Sequence, residues 1–457
     1  MTQDIFHLGC GAGFSNDRPE GGVGLTKALA ACGGPAALFY ETLAERTLAL
    51  AQLARRNDPL SGYEPQLKAF LRPVLAGCLE HKIPILGNFG AANPVAAAQK
   101  VLDLGLEEGL TGLKVGVVRG DDLLQTASPK EILGWIRDDR AELDPGKMVS
   151  ANVYLGAGPL VEALAAGVEV VVTGRVADPS LALAPLIHHF GWSWEDPDLV
   201  AAGTLVGHLL ECATQISGGY FADPGFKDVP SPAWLGYPLA EVEPSGVAVI
   251  TKAPGGGLVT KATVTEQILY EIHDPAAYFT PDVVLDITRV RLEEAGPDRV
   301  RVRGARGREK PARLKATVAF SDGWLGEAAI SYAGPNAAAR ARLAGRIIKE
   351  RMARFRPELN LRLDIIGLAS LFNDNGGDFL DQVRAEPEDV RLRAALRSPD
   401  REGAELLGRE VSALYCCGPA GGGGVRTSVF PRLRTASAFV PREAVSPGVT
   451  IVGEESA

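Results

Sequence analysis

The chain has 457 residues, 46% of them hydrophobic and 23% charged, and its 56 acidic side chains outnumber 47 basic ones to leave a net charge of −9. That length exceeds one ordinary core and predicts two or three domains, while the acidic excess argues against a phosphate-tracking surface and so against nucleic acid as a partner. Six scattered cysteines without C-x-x-C or zinc spacing, no basic-then-apolar leader and no bilayer-length apolar run predict a cytoplasmic protein with buried thiols and no membrane association.

From the N-terminus, short apolar runs end six times in polar clusters. Ile5–Leu8 meets Gly9-Cys10-Gly11-Ala12-Gly13-Phe14-Ser15-Asn16-Asp17-Arg18, Ala36–Tyr40 meets Glu41-Thr42, and Ile83–Leu86 meets Gly87-Asn88. Leu113–Val118 meets Arg119-Gly120-Asp121-Asp122, Met148–Val153 meets Tyr154-Leu155-Gly156, and Val168–Val172 meets Thr173-Gly174-Arg175-Val176-Ala177-Asp178-Pro179. Continuous apolar runs spaced by helix-length segments predict buried parallel strands. Ligands of open parallel sheets bind outside the carboxyl ends of the strands, where these clusters would sit. Asn93-Pro94, Gly158-Pro159 and Asp178-Pro179 each place a cap-competent residue before Pro and predict three helix starts. Pro185 predicts a kink or restart in the helix that follows Asp178-Pro179.

Past Gly218 a Pro-rich loop suggests a junction, so the expected division is residues 1–223 as a parallel, Rossmann-like α/β domain and 224–457 as an α+β domain with a mixed or antiparallel sheet. The arginines of Arg299–Arg313, interrupted by Asp298, Glu309 and glycines, predict a solvated hairpin. Ser321-Asp322-Gly323-Trp324 predicts a hairpin turn, and Asn336–Phe355 and Glu402–Leu414 predict helices.

Chemistry concentrates at the first-half clusters. Gly9-x-Gly11-x-Gly13 between strand and helix suits a phosphate on backbone N–H groups, or merely a tight turn. It departs from the dinucleotide fingerprint at its third Gly, although Glu41 could mimic the ribose-binding acid. Helix N-termini at Asn93, Gly158 and Asp178 favour an anion, and Arg175 could clamp one bidentately. Asp121-Asp122 offer an acid/base pair, a divalent-metal site or caps for the next turn. His208-x-x-Glu211 forms half of a carboxylate–histidine metal site whose second half is missing, so no metal is assigned.

The segments G-C-G-A-G-F-S-N-D-R (9–18), E-T-L-A-E-R-T (41–47), N-F-G-A-A-N-P (88–94), L-K-V-G-V-V-R-G-D-D (113–122), T-G-R-V-A-D-P-S-L-A-L (173–183), Q-I-S-G-G-Y-F-A-D-P-G (215–225) and G-P-A-G-G-G-G-V-R (418–426) together resemble the acyclic terpene utilisation (AtuA) family over nearly the whole chain. The resemblance implies a part in the catabolism of acyclic terpenes such as citronellol and geraniol, through branched acyl-CoA thioesters and a biotin-dependent acyl-CoA carboxylase. It also implies a small ferredoxin-like partner domain, appended in longer relatives with a Ser-Gly-Asp-Lys-Gly-Asp motif; this chain lacks the motif, so that domain is absent or comes from a separate protein.

The resulting expectation is an enzyme acting on a branched or isoprenoid acyl-CoA, or its acid, by hydratase, lyase or isomerase-like chemistry. The alternatives are a non-catalytic binding or assembly subunit beside an acyl-CoA carboxylase, and a nicotinamide-dependent oxidoreductase. The expected catalytic residues are Asp121, Asp122, Glu41 and Arg175. The expected substrate-binding residues are Gly11, Gly13, Ser15, Arg18, Asn88, Asn93, Thr173, Gly174 and Asp178. A coenzyme A thioester is the expected substrate form, no other cofactor is assigned, and a homo-oligomer is the expected assembly.

Overall fold

A computed structural model of the chain describes residues 4–137, 143–375 and 378–453. Its first strands are β1 (Phe6–Cys10), β2 (Ala36–Tyr40), β3 (Ile85–Gly87), β4 (Lys114–Arg119), β5 (Met148–Val153) and β6 (Val170–Thr173). All but β5 form the parallel part of one sheet, in the order β1-β2-β3-β6-β4. Every residue of β2, β3 and β6 is buried, which is why their sequences are apolar throughout instead of alternating. The registers Cys10↔Phe39, Tyr40↔Gly87, Gly87↔Val172 and Thr173↔Val118 bring the carboxyl ends of all five strands to a common edge.

Strand β5 corrects the sequence expectation of six parallel strands. It is fully buried like the others, but it lies off the sheet and pairs with the strand Arg313–Ala333. Two isolated bridges, Asp122↔Asn152 and Leu155↔Val176, hold its end against the loops after β4 and β6. Hydrophobicity records burial and says nothing of the pairing partner, so β5 and a sheet strand look alike in the sequence.

The sheet continues beyond β1 through antiparallel strands β7 (Pro238–Val242) and β8 (Ala248–Lys252) and the hairpin Arg291–Gly296/Arg299–Arg303, and beyond β4 through Gly448–Gly453. On the hairpin, Arg299 pairs bidentately with Glu241 and Arg301 pairs with Glu243, consistent with a solvated, charge-compensated ribbon. Part of residues 224–319 thus extends the first sheet, while Tyr278–Phe279, Val284–Asp286 and Arg306–Arg308 form a separate three-stranded sheet. The chain divides into compact units of residues 1–319 with 435–457, and of 320–434, which differs from the boundary at 223/224 expected from the sequence. The Pro-rich stretch after Gly218 is a loop inside the first unit.

In the second unit the order strand, helix Ala337–Phe355, strand Leu361–Ile366, strand Asp389–Ser398, helix Arg401–Cys417, strand gives a sheet with Leu361–Ile366 at one edge, then Asp389–Ser398, then the first strand, then the last. This is the β-α-β-β-α-β topology of ferredoxin-like folds. Its core joins Ile330, Tyr332, Leu392 and Ala394 of the sheet to Ala341, Ile348, Leu407 and Val411 of the helices. The expected hairpin turn at Ser321–Trp324 is absent. These residues belong to the continuous strand Arg313–Ala333, because Trp324 and Leu325 pair with Ser398 and Arg397. Gly323 passes the neighbouring strand at φ 78°, where a Cβ would stand 2.3 Å from Ser398 O.

Candidate active site at the carboxyl edge

At the end of β1, Gly11 N–H donates to Phe39 O (2.8 Å) and Ala12 O accepts from Glu41 N–H (3.0 Å). A Cβ on Gly11 would come within 2.4 Å of the Tyr40 ring, and one on Gly13 within 2.6 Å of the Cys212 backbone. Gly13 N–H donates to the Asp17 carboxylate at 2.9 Å. Packing thus accounts for both glycines, and their N–H groups already have partners. Ser15 O accepts from Gln66 Nε2, and the exposed Arg18 guanidinium donates to Ala233 O.

Beyond β2 and β3, Asn88 Nδ2 donates to Glu41 Oε1 (2.8 Å), which also accepts Leu43 N–H (2.8 Å). Asn88 Oδ1 accepts from Thr42 N–H and Oγ1. Burial raises the proton affinity of Glu41, opposed by the Arg175 charge and by the Asn88 bond. Asn93 caps the helix Pro94–Glu107 with its oxygen and donates to Pro59 O and Ser61 O, so it holds loops together.

Asp121, beyond β4, is buried and accepts Arg175 N–H (2.9 Å) and Asn152 Nδ2 (2.8 Å) on one oxygen. A Cβ at residue 174 would stand 2.4 Å from its other oxygen, which explains Gly174. Desolvation pushes the Asp121 carboxyl up to about 6, against these two hydrogen bonds. Asp122 points elsewhere: it caps the turn Leu123–Gln125 and lies 3.8 Å from Arg55. Buried Thr173, at the end of β6, donates its hydroxyl to Gly174 O. The Asp121-Asp122 sequence therefore splits into two separate structural contacts instead of a paired acid/base site.

Arg175 is 3% exposed. Its guanidinium donates to Leu43 O and to Asp178 Oδ1 (2.7 Å), and lies 4.1 Å from the Tyr154 ring centroid. Leu43 is held for this role by a small apolar cluster with Leu48, Ala91 and Ala92. Tyr154 in turn donates its hydroxyl to Glu45 Oε1 at 2.5 Å, under Lys315. The cation expected to clamp a free anion is thus enclosed and in a standing pair with Asp178. Only its Nε lacks a partner.

Asp178 does not cap the next helix, which runs Ser180–Phe190 from Pro179 and continues unbroken through Pro185. Likewise Gly158 is the first residue of its helix, and Ala157 precedes it. Freed from capping, the Asp178 side chain keeps about a third of its surface exposed (32%). Desolvation of its inner part raises its proton affinity, the Arg175 charge opposes this, and Glu41, Glu211 and Glu45 add to the rise.

Glu211 and His208 join this group, though sequence reasoning left them out of the anion site. His208 Nδ1 lies 2.9 Å from Glu211 Oε1, both side chains are buried, and Glu211 Oε2 has no partner. The i,i+3 spacing was the legible signal. Tyr278, 5.5 Å ring to ring from His208 and within the field of Glu211 and Asp178, carried none. Among the described residues no third His, Cys, Asp or Glu joins His208 and Glu211 in metal-holding geometry.

The arrangement defines an α/β protein whose charged and amide side chains gather at the carboxyl edge of a parallel sheet. The chain belongs to the acyclic terpene utilisation family AtuA, whose family model matches residues 6–451, and so has a role in acyclic terpene utilisation. No curated protein and no solved structure matches it. Among the described residues no helix is long and apolar enough to cross a membrane.

Proposed function

We propose that this protein is an enzyme of acyclic terpene breakdown that acts on a branched or isoprenoid acyl-CoA thioester, or its acid, by proton transfer of the hydratase, lyase or isomerase kind. The observation that carries the reading is the Arg175–Asp178 pair: a buried cation holding a carboxylate that still meets solvent at the edge of the sheet. Asp178 is the acid/base group. Burial and the neighbouring carboxylates raise its proton affinity, and the Arg175 charge opposes the rise. A carboxylate whose proton affinity is raised above the ordinary range is better suited to take up and return a proton than a free one. Arg175 is a positioning residue, because it reaches Asp178 and not solvent. Glu41 and Asn88 fix the Thr42–Leu43 backbone whose carbonyl holds the guanidinium.

The test is turnover of branched unsaturated acyl-CoA thioesters by the native chain and by Asp178→Asn, followed by mass spectrometry and deuterium incorporation from solvent. The native chain should change at least one thioester. Asp178→Asn, whose amide oxygen can still accept from Arg175, should fold normally and lose at least about 100-fold in rate. Turnover by the variant at the native rate would remove Asp178 from the chemistry. Thioester binding without turnover would favour a binding subunit working beside an acyl-CoA carboxylase.

A further inference from the structure

A cavity of about 350 Å³ lies in the first unit, and neither Arg175 nor Asp178 lines it. Leu155, Trp194, Leu314 and Val445 give it apolar walls, and Lys310 and Arg442 bring two cations to it. Its volume falls within the range of small-molecule sites. Asp282 also lines it, but that carboxylate is committed: it accepts Ala157 N–H with both oxygens (3.1 and 3.0 Å) and Ser180 Oγ (2.9 Å), next to the starts of two helices. The N–H at the start of the helix Gly158–Ala165 is therefore already occupied.

The two cations are not satisfied in the same way. Arg442 donates to the carbonyls of Pro311 and Pro281, while Arg442 and Lys310 both act on the Asp282 carboxylate through their charge and not through a hydrogen bond among the described residues. Burial lowers the proton affinity of Arg442, with Asp282 only partly opposing this. Elsewhere in this net-acidic chain Arg299, Arg301 and Arg303 of the hairpin are paired to glutamates. Two cations against the single Asp282 carboxylate leave the cavity with an excess positive charge beside apolar walls, which is chemically complementary to an anion with a hydrocarbon body.

We infer that this cavity is a second binding site, for a small amphipathic carboxylate whose anionic head meets Lys310 and Arg442 and whose chain lies against Trp194, Leu155, Leu314 and Val445. It is independent of the acid/base reading, since it shares no residue with the Arg175–Asp178 pair.

Isothermal titration of the full chain with octanoate, 1-octanol and acetate tests this. Octanoate should bind saturably, and octanol, without the charge, and acetate, without the chain, should each bind at least about tenfold more weakly. Lys310 is exposed and forms no hydrogen-bonded ion pair among the described residues, so Lys310→Met should leave the unfolding midpoint unchanged. It should weaken octanoate at least about fivefold and leave octanol unaffected. Asp178→Asn should bind octanoate as the native chain does. The inference is overturned if octanoate does not saturate, if octanol binds as tightly, or if Lys310→Met binds octanoate like the native chain. It is equally overturned if Asp178→Asn abolishes binding, which would place octanoate at the sheet edge.

Discussion

Burial sets the proton affinity of Asp121, and with it a pH dependence of the whole fold. Its carboxyl rises from an ordinary 3.8 to about 6, so the folded state holds its proton more tightly than the unfolded state. Stability from this group is full below about pH 4 and is lost as pH rises through about 6, a change on the order of 3 kcal/mol. In Asp121→Asn that component should vanish, because an amide oxygen can accept from Arg175 N–H and Asn152. Urea unfolding of both proteins from pH 4 to 7 checks it: the native-minus-variant difference should fall across the window, and a flat difference would contradict the burial argument. Arg175→Lys tests the other residue on which the edge depends. An ammonium cannot reach Leu43 O and Asp178 together in the fork geometry, nor stack as well on Tyr154. A loss of about 2–3 kcal/mol is expected by denaturant melt, and native stability would show that the pair holds nothing together.

At the scale of elements, the turns after the strands carry both architecture and candidate chemistry. The helix Pro94–Glu107 begins at Asn93, whose amide also ties down Pro59 O and Ser61 O. Asn93→Ala removes the cap and leaves two carbonyls without a donor, and should cost about 2 kcal/mol in a thermal or urea melt without altering ligand binding at the edge. The turn after β6 is tighter. Gly174→Ala would press a methyl against the Asp121 carboxylate, itself fixed by two donors. The substitution should destabilise by about 2 kcal/mol or more, and Asp121→Asn should not relieve it, since the clash is steric. Relief in the double variant would show that charge, not volume, forbids a side chain there.

For the whole molecule, the second unit has its own layers: a four-strand sheet with two helices on one face and a contiguous core from Ile330 to Leu414. A fragment of residues 320–434 should therefore fold alone, showing cooperative thermal unfolding by circular dichroism. A fragment without a cooperative transition would mean that the unit depends on the rest of the chain. The first unit is discontinuous, built from residues 1–319 and 435–457. That arrangement is invisible to a reading that moves along the chain, because Gly448–Gly453 joins the sheet beside β4 only by long-range pairing.

Residue order alone fixes local features. Apolar runs marked β1 to β4 and β6 as buried strands, the Asn93-Pro94 dipeptide marked a helix start, and the order of polar clusters located the edge where Glu41, Asn88, Asp121 and Arg175 meet. These follow from side-chain burial and capping within a few residues, which periodicity records. The tertiary structure alone decided which partner each group took. It moved β5 off the sheet, drew Asp178 to Arg175 instead of the helix start, separated Asp121 from Asp122, and brought Glu211, His208 and Tyr278 to the edge. Pairing and proton affinity depend on distances between residues far apart in the chain and on the water excluded around them, and neither quantity is written in the spacing of residues along it.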